Sequence, residues 1–390
     1  MIQPLLAKVI GLSRMVLLKE RAARLLTWLR KPDKGGQIVP QMEGARFIAL
    51  AAVFFLHFDQ ALLATQTTVQ PLGPFGDLLH LICGVGNFGV QIFFAISGFV
   101  LALPFAKQHI QAGRPVVMRQ YFMRRLWRLE PPLLISFLIL LPLVVWVVPR
   151  LTFGEALERT GLSVLYSHYV VLGEMNPVNR VTWSLETEAQ FYLAMPIIAY
   201  WLKIPQPLFR RVGLIVIALL CMSFKPWLNR ALLPAQFEYF VAGILLADLY
   251  LTNWKNSLGF SHKWDAFGLL AGLSMLVLLA ASDRYYGFGR DLGLAASVFI
   301  MLSSMLKGRF LHHLSAGSFV TLVGGMCYSF YLYHDPLLRY SAAALRPILP
   351  EAYLARWLVG ILSILPVAAI GSLIMYALAE RPFMGRRLKN

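Results

Sequence analysis

The stretch GARFIALAAVFFLHFD, residues 44–59, is apolar enough to lie in a membrane, yet it carries Arg46 and, eleven positions later, His57. An α-helix rises about 16 Å between these two residues. With Arg46 at one interface, His57 would lie near the middle of a hydrocarbon core about 30 Å thick. Ionisable residues at that depth are costly and usually face a cavity or a partner. The alternative is a buried neutral ring that donates to a backbone carbonyl.

The rest of the chain repeats this apolar character from end to end. Of its 390 residues, 58% are hydrophobic and 14% are charged, and the mean hydropathy is +0.63. Soluble domains contain about 25% charged residues. Segments of about twenty residues with almost no charge recur, which is typical of transmembrane helices. We therefore predict an all-α, polytopic transmembrane helical bundle with about ten spans, and we exclude a soluble enzyme.

The basic residues predict the orientation of this bundle. The predicted spans are 45–64, 86–106, 131–149, 183–202, 212–224, 235–251, 265–281, 290–306, 319–334 and 355–378. Most of the 36 Lys and Arg residues lie before the first span, after the last, or in alternate connections between them. Because positively charged loops stay in the cytoplasm, both termini are predicted to lie inside. This bias explains the net charge of +17 without a nucleic-acid partner.

Residues 1–44 are predicted to form a cytoplasmic, basic, amphipathic segment that precedes a membrane domain over 45–390. Apolar and basic positions alternate there, which favours a helix on the membrane surface; the alternative is a partly disordered basic tail. The segment lacks the uninterrupted apolar core of a signal peptide. The three cysteines, Cys83, Cys221 and Cys327, show no metal-ligand spacing and no disulfide pattern, so no metal is expected.

The stretch GVGNFGVQIFFAISGFVLALPF, residues 84–105, matches the glycine pattern of dinucleotide-binding turns. No βαβ unit surrounds it, so we reject a dinucleotide site. Ser97 and Gly98 are small residues in the middle of the predicted span. They either allow close approach of another helix or leave room for a substrate.

The stretch RQYFMRRLWRLEPP, residues 119–132, places Arg124, Arg125 and Arg128 on one side of a helix. Guanidinium groups make bidentate contacts with phosphates. The cluster is therefore either a set of orientation charges in contact with anionic lipid or a docking site for a polyphosphate cofactor arriving from the cytoplasm.

Two later stretches place polar groups at the outer ends of spans. VTWSLETEAQFYLAMP, residues 181–196, contains Glu188, a functional candidate because it lies within an apolar segment. Acidic stabilisation of a helix N-terminus is the alternative, and it suits Glu186 better. YSFYLYHDPLL, residues 328–338, contains Tyr331 and His334. Aromatic anchoring and helix termination at the Asp-Pro pair are the alternatives to a functional role there.

In this order, the stretches resemble the acyltransferase-3 family of bacterial membrane acyltransferases. Arg46 and His57 match its Arg-x10-His pattern, and GVQIFFAISGF, RRLWRLEPP, TWSLETEAQFY and YSFYLYH are similar to four further motifs. The resemblance covers residues 44 to 383. The chain departs from the family at Ala189, where a second Glu is common.

The resemblance implies transfer of an acyl group, acetyl being the expected one, from a cytoplasmic coenzyme A thioester to a hydroxyl of an extracytoplasmic glycan or glycolipid. It implies a multi-pass protein of the bacterial inner membrane that O-acetylates cell-envelope glycans. We expect catalytic, acyl-donor-binding and acceptor-side groups. The catalytic residues are His57 and Glu188. The acyl-donor-binding residues are Arg46, Arg124, Arg125, Arg128 and Ser97. The acceptor-side residues are Trp183, Ser184, Tyr192, Tyr331 and His334.

We hypothesise that neutral His57 removes the proton of the acceptor hydroxyl while Glu188 orients the ring or stabilises the imidazolium. An acyl-histidine intermediate is the other route. The alternative function is a proton-coupled secondary transporter of an anionic or glycan-type solute. A polyprenyl-dependent glycosyltransferase is a weaker rival, because the chain lacks a large outer loop and an acidic metal motif.

Overall fold

A computed structural model of the protein describes residues 21, 24–30, 38–67, 71–147, 151–254, 259–281 and 287–384. Within these ranges the chain is helical apart from short connections, and they contain no strand, as the all-α prediction requires. Most of the predicted segment 1–44 lies outside the described residues. Its helical part at 24–29 is anchored where the hydroxyl of Tyr376 donates to the carbonyl of Leu29 at 2.9 Å.

The α-helices of the described residues are α1 (Pro40–Leu63), α2 (Gly73–Val85), α3 (Gly89–Ile110), α4 (Met118–Val147), α5 (Phe153–Val164), α6 (His168–Leu172), α7 (Trp183–Ile198), α8 (Pro207–Phe224), α9 (Phe237–Leu249), α10 (His262–Ala280), α11 (Phe288–Lys307), α12 (Phe310–Ser315), α13 (Ser318–Gly325), α14 (Cys327–Leu345), α15 (Tyr353–Met375) and α16 (Arg381–Met384). Short 3₁₀-helices lie at Gly86–Phe88, Arg180–Thr182, Ala199–Lys203, Lys225–Trp227, Leu233–Gln236 and Arg346–Ile348, and π-helical turns at Tyr250–Trp254 and Tyr376–Glu380.

Seven helical segments of the described residues are long and apolar enough to cross a membrane, so the protein is a multi-pass membrane protein. They are Pro40–Leu63, Gly73–Ile110, Met118–Trp146, Pro207–Trp227, His262–Ala280, Phe288–Lys307 and Tyr353–Met384. The other three predicted spans are also helical, but they are short or interrupted. α7 has 16 residues and α9 has 13, whereas the predicted span 319–334 is divided between α13 and α14 at Met326.

The segment Gly73–Ile110 holds the centre of the bundle. In the most apolar stretch of this segment, 72% of the residues are buried. The corresponding fractions are 17% for α10 and 22% for Pro207–Trp227, because these two segments present their apolar side chains outward. Among the described helices, the most extensive contact joins α3 to α9. It is close because Gly98 lies against the carbonyl of Phe240, and Gly243 lies against the carbonyl of Ala95. Gly98 therefore has the close-packing role that was one of its two expected uses.

Replacing Gly243 by Ala should destabilise the bundle by at least about 2 kcal/mol, because the new Cβ would overlap backbone atoms of α3 that cannot move aside. Thermal unfolding in detergent, followed by the loss of monodisperse protein, measures the effect. Gly272→Ala in α10 is the matched control, since no atom lies within 4 Å of its added Cβ. Equal melting temperatures for the two variants would contradict this account of the contact between α3 and α9.

Candidate functional site

Three cavities lie in series along α1 and α3. The arginine-end cavity, about 690 Å³, is lined by the start of α1, the end of α3 and the start of α4. The central cavity, about 60 Å³, is lined by the middle of α3 with parts of α4, α7 and α14. The histidine-end cavity, about 360 Å³, is lined by the second half of α1 and by residues from α2 and the Arg180–Trp183 turn. Neighbouring cavities share walls, so the three form one interrupted path through the bundle.

The shared walls identify the two constrictions of this path. Arg46, Val100 and Arg125 separate the arginine-end cavity from the central cavity. Val90 and Tyr331 separate the central cavity from the histidine-end cavity. The central cavity has room for only a few water molecules. Any larger group that passes through it must therefore push these side chains apart.

The arginine-end cavity is strongly basic. Its lining contains five cationic side chains and one acidic one: Arg46, Lys107, Arg114, Arg124, Arg125 and Glu43. Glu43 accepts a hydrogen bond of 2.5 Å from buried Arg46, which holds that guanidinium at the first constriction. A concave surface with this charge attracts anions and is suited to phosphate groups.

The other arginines of this cluster have different surroundings. Arg125 lies over the rings of Tyr121 and Tyr192, at 5.9 and 5.7 Å from the ring centroids. Such a contact with the ring faces leaves in-plane N–H groups free to donate. Arg124 is exposed and donates to Gln120 at 3.2 Å. Arg128 lies deeper and lines the central cavity instead.

In the central cavity, Glu188 accepts hydrogen bonds from Ser97 Oγ at 2.8 Å and from the hydroxyl of Tyr192 at 2.5 Å. Arg46, Arg125 and Arg128 line the same space. The carboxylate is therefore positioned to balance arginine charges, and its hydrogen-bond partners among the described residues do not include His57. This geometry does not support the expected role of Glu188 in orienting the His57 ring.

His57 lines the histidine-end cavity and pairs with His334. Its Nδ1 lies 2.8 Å from His334 Nε2, and the two rings stack with their centroids 5.0 Å apart. The His57 side chain is 19% exposed, whereas His334 is fully buried behind it. His334 thus contacts the other histidine instead of lining the acceptor side, where we had expected it.

The hydrogen bonds of His334 determine which nitrogen atoms carry protons. Its Nδ1 lies 2.7 Å from the carbonyl oxygen of Tyr331 and 3.0 Å from that of Phe330, and a carbonyl can only accept. His334 therefore carries its proton on Nδ1 and, when neutral, accepts at Nε2. His57 must then donate from Nδ1, which leaves a lone pair on its Nε2. This tautomer makes His57 a base held in place by a second imidazole.

Asp335 supplies the negative charge near this pair. Its Oδ1 lies 3.9 Å from His57 Nδ1 and accepts from Arg339 Nε at 2.7 Å. The Asp-Pro pair does not end the helix, because α14 continues through Pro336 to Leu345. Proline leaves the carbonyl of Leu332 without its helical donor, and the side-chain amide of Asn179 donates to that carbonyl at 3.0 Å. Helix termination, one reading of this motif, is therefore wrong.

Besides His57, His80 lines the histidine-end cavity, and no sequence motif had indicated this residue. The Nδ1 of His80 lies 2.6 Å from buried Asp59, which also accepts from the hydroxyl of Tyr353 and from Nε1 of Trp357. These three donors occupy the Asp59 carboxylate, so it does not pair with His57. Within the described residues, no group of three or more His, Cys, Asp or Glu side chains could hold a metal ion.

The remaining expected acceptor-side residues are divided between two cavities. Trp183 lines the histidine-end cavity, and Tyr331 lines both this cavity and the central one. Ser184 and Tyr192 line only the central cavity, where Ser184 Oγ lies 2.7 Å from the hydroxyl of Tyr331. The Ser184–Tyr331 contact ties α7 to α14 at the second constriction.

Comparison with known proteins gives two kinds of match. A family model described as an acyltransferase domain matches residues 39–377. Acyltransferase MdmB of Streptomyces mycarofaciens is 25% identical over 394 residues, which cover 90% of this chain and 93% of that protein. Putative O-acetyltransferase SACOL0978 of Staphylococcus aureus strain COL is 21% identical over 333 residues, which cover 77% of this chain and 51% of that protein. The chain thus spans about half the length of the staphylococcal relatives. No solved structure matches it.

Proposed function

We propose that this chain moves an acyl group through its membrane domain. The premise is that the chain belongs to the acyltransferase-3 family and is an O-acyltransferase. The donor would be cytoplasmic acyl-CoA, with acetyl as the expected group. The acceptor would be a hydroxyl of an extracytoplasmic or lipid-linked glycan at the bacterial inner membrane. The observation that carries this proposal is the series of three cavities, which leads from the basic arginine-end cavity to His57 in the histidine-end cavity.

The proposed orientation places the arginine end in the cytoplasm, with about ten spans and both termini inside. Coenzyme A is available there, and its phosphates would bind Arg124 and Arg125 in the arginine-end cavity. Residues 1–44 would lie on the same membrane surface. Arg46, Arg128 and Ser97 then border the space that the thioester must cross, and the glycan would enter at the histidine end.

The proposed reaction uses the lone pair on His57 Nε2. This nitrogen removes the proton of the acceptor hydroxyl while the oxygen attacks the thioester carbonyl. The C–S bond breaks, and the departing thiolate takes the proton back from the imidazolium. Asp335 stabilises the positive charge that His57 carries between these two steps. In the other route, Nε2 attacks the thioester carbonyl, and the C–S bond breaks with departure of the coenzyme A thiolate. The acyl-histidine then transfers its acyl group to the acceptor oxygen, whose proton goes to the thiolate.

Incubation of the purified protein in lipid nanodiscs with acetyl-CoA labelled in the acetyl group tests the function. We expect release of coenzyme A and transfer of label to a glycan fraction from the cell envelope. A transporter would bind or move solute without releasing coenzyme A, and that result would overturn the proposal. Label that remains on His57 when the acceptor is omitted would select the acyl-histidine route.

A further inference from the structure

The histidine-end cavity contains two arginines that the acyl-transfer chemistry does not use, Arg180 and Arg230. Arg230 stacks over the ring of Trp183 with its guanidinium carbon 3.9 Å from the ring centroid, and it lies 5.9 Å from the centroid of Tyr169. Neither contact uses the N–H groups, which point outward in the plane of the guanidinium. Stacking thus holds this cation in place while its donors remain available.

Neither guanidinium forms a hydrogen bond or ion pair with the described part of the chain. The acidic side chain in the cavity lining, Asp59, is 1% exposed and already accepts from His80, Tyr353 and Trp357. Arg180 is exposed at the 3₁₀-helix that precedes α7. The lining therefore contains two arginines and one carboxylate, and it keeps an excess of positive charge. Asp335, the nearby acidic group that interacts electrostatically with Arg180, is already bound to Arg339.

This charge is unusual for its position. The positive-inside rule depletes Lys and Arg from the extracytoplasmic side, where the proposed orientation places this cavity. Two arginines that line one cavity and are not hydrogen-bonded to an acidic group of the described residues are a favourable site for a negatively charged ligand. The cavity also contains His57, so such a ligand would bind next to the reacting group.

We propose that the acceptor carries an oxyanion, a phosphate or a carboxylate, and that Arg180 and Arg230 bind this group while the acceptor hydroxyl faces His57. This inference rests on the proposed function, because it assigns the ligand of the histidine-end cavity to the acceptor. The oxyanion belongs either to a lipid carrier, as in a polyprenyl phosphate-linked sugar, or to the sugar itself. The guanidinium groups recognise the same chemistry in both cases.

Binding measured without any acyl donor tests the inference. Purified protein is titrated with undecaprenyl phosphate against undecaprenol, and with glucose 1-phosphate and glucuronate against glucose. Tryptophan fluorescence serves as the readout, since Trp183 lies beneath Arg230. We expect at least one anionic probe to bind about 10-fold or more tightly than its neutral counterpart, because the neutral probe lacks the charge-assisted hydrogen bonds to the guanidinium groups. The probe that binds most tightly identifies the source of the oxyanion.

Substitutions locate that binding in the cavity. Arg180→Gln and Arg230→Gln should each weaken the anionic probe about 10-fold. Arg346→Gln should not, because Arg346 is exposed in the 3₁₀-helix after α14 and lines none of the three cavities. Equal binding of charged and neutral probes overturns the inference, as does the absence of saturable binding. Equal competition by phosphatidylglycerol also overturns it, because the arginines would then be general lipid contacts.

The result separates this inference from the proposed function. If the wild-type protein releases no coenzyme A but binds the anionic probe through Arg180 and Arg230, acyl transfer fails and the anion site stands. If coenzyme A is released and the two variants bind and react as the wild type does, acyl transfer stands and the anionic acceptor is wrong.

Discussion

Replacing His57 by Gln should lower the rate of acyl transfer by about 10³-fold, because positioned general bases typically contribute 10²–10⁴. Gln occupies a similar volume and can donate to His334, but it has no basic nitrogen. The loss should therefore appear in the rate constant and leave the affinity for acyl-CoA nearly unchanged. Coenzyme A release at saturating donor, together with donor binding measured separately, separates these two quantities.

His80→Gln is the matched control for this experiment. His80 lines the same cavity and also has a hydrogen-bonded Nδ1, but its partner is Asp59 and not His334. We expect this variant to retain activity within about 10-fold of the wild type, the lower limit for loss of a positioned base being about 10². If His80→Gln loses the activity and His57→Gln keeps it, the base is the His80–Asp59 pair and the assignment to His57 is wrong.

Replacing Arg125 by Gln should raise the KM for acyl-CoA by about 10- to 100-fold, since hydrogen bonds to charged groups contribute about 1.5–3 kcal/mol. Arg125 lies at the first constriction, and its partners are ring faces, so its N–H groups are available to a phosphate. Arg124→Gln should have a smaller effect of the same kind, because that side chain is exposed and already bound to Gln120.

A short thioester without the nucleotide shows whether these arginines bind phosphate. With S-acetyl-N-acetylcysteamine as donor, the Arg125→Gln variant should react as the wild type does, because this donor has no phosphate to lose. Arg119→Gln in the same helix is the control, since Arg119 is exposed and lies outside the lining of the arginine-end cavity. An equal loss with both donors would mean that Arg125 shapes the central cavity instead of binding the nucleotide.

Much of the helical architecture could be read from the apolar segments, because a helix that faces lipid must be apolar over its whole length. The structure has helices at all ten of the predicted spans. The prediction missed α2, whose 13 residues are too few to span a membrane alone. The predicted span begins at residue 86, whereas the structure joins α2 to α3 through Gly86–Phe88 into one helical segment.

The candidate site was harder to predict from the sequence than the helices were. Helical periodicity shows which residues share a face, but it does not show which helix lies opposite that face. Glu188 and Tyr192 are four residues apart, so they share a helix face, and the structure shows their contact. His334, the partner of His57, is 277 residues away in the sequence, so no helical spacing rule could have predicted that the two residues meet. Arg230 lies in a short turn between two helices, where no periodic pattern marks its cavity.

Local chemistry alone was enough to predict a helical membrane protein and to select the groups that can bind phosphate or move a proton. Hydrocarbon imposes apolar helices on any chain that spans it, and it makes each intramembrane polar residue conspicuous. Only the folded bundle decided that His334, and not Glu188, contacts His57, and that Glu188 lies among the arginines. Those pairings depend on the depth and rotation at which distant helices pack, and these are determined by close contacts such as Gly243 against Ala95.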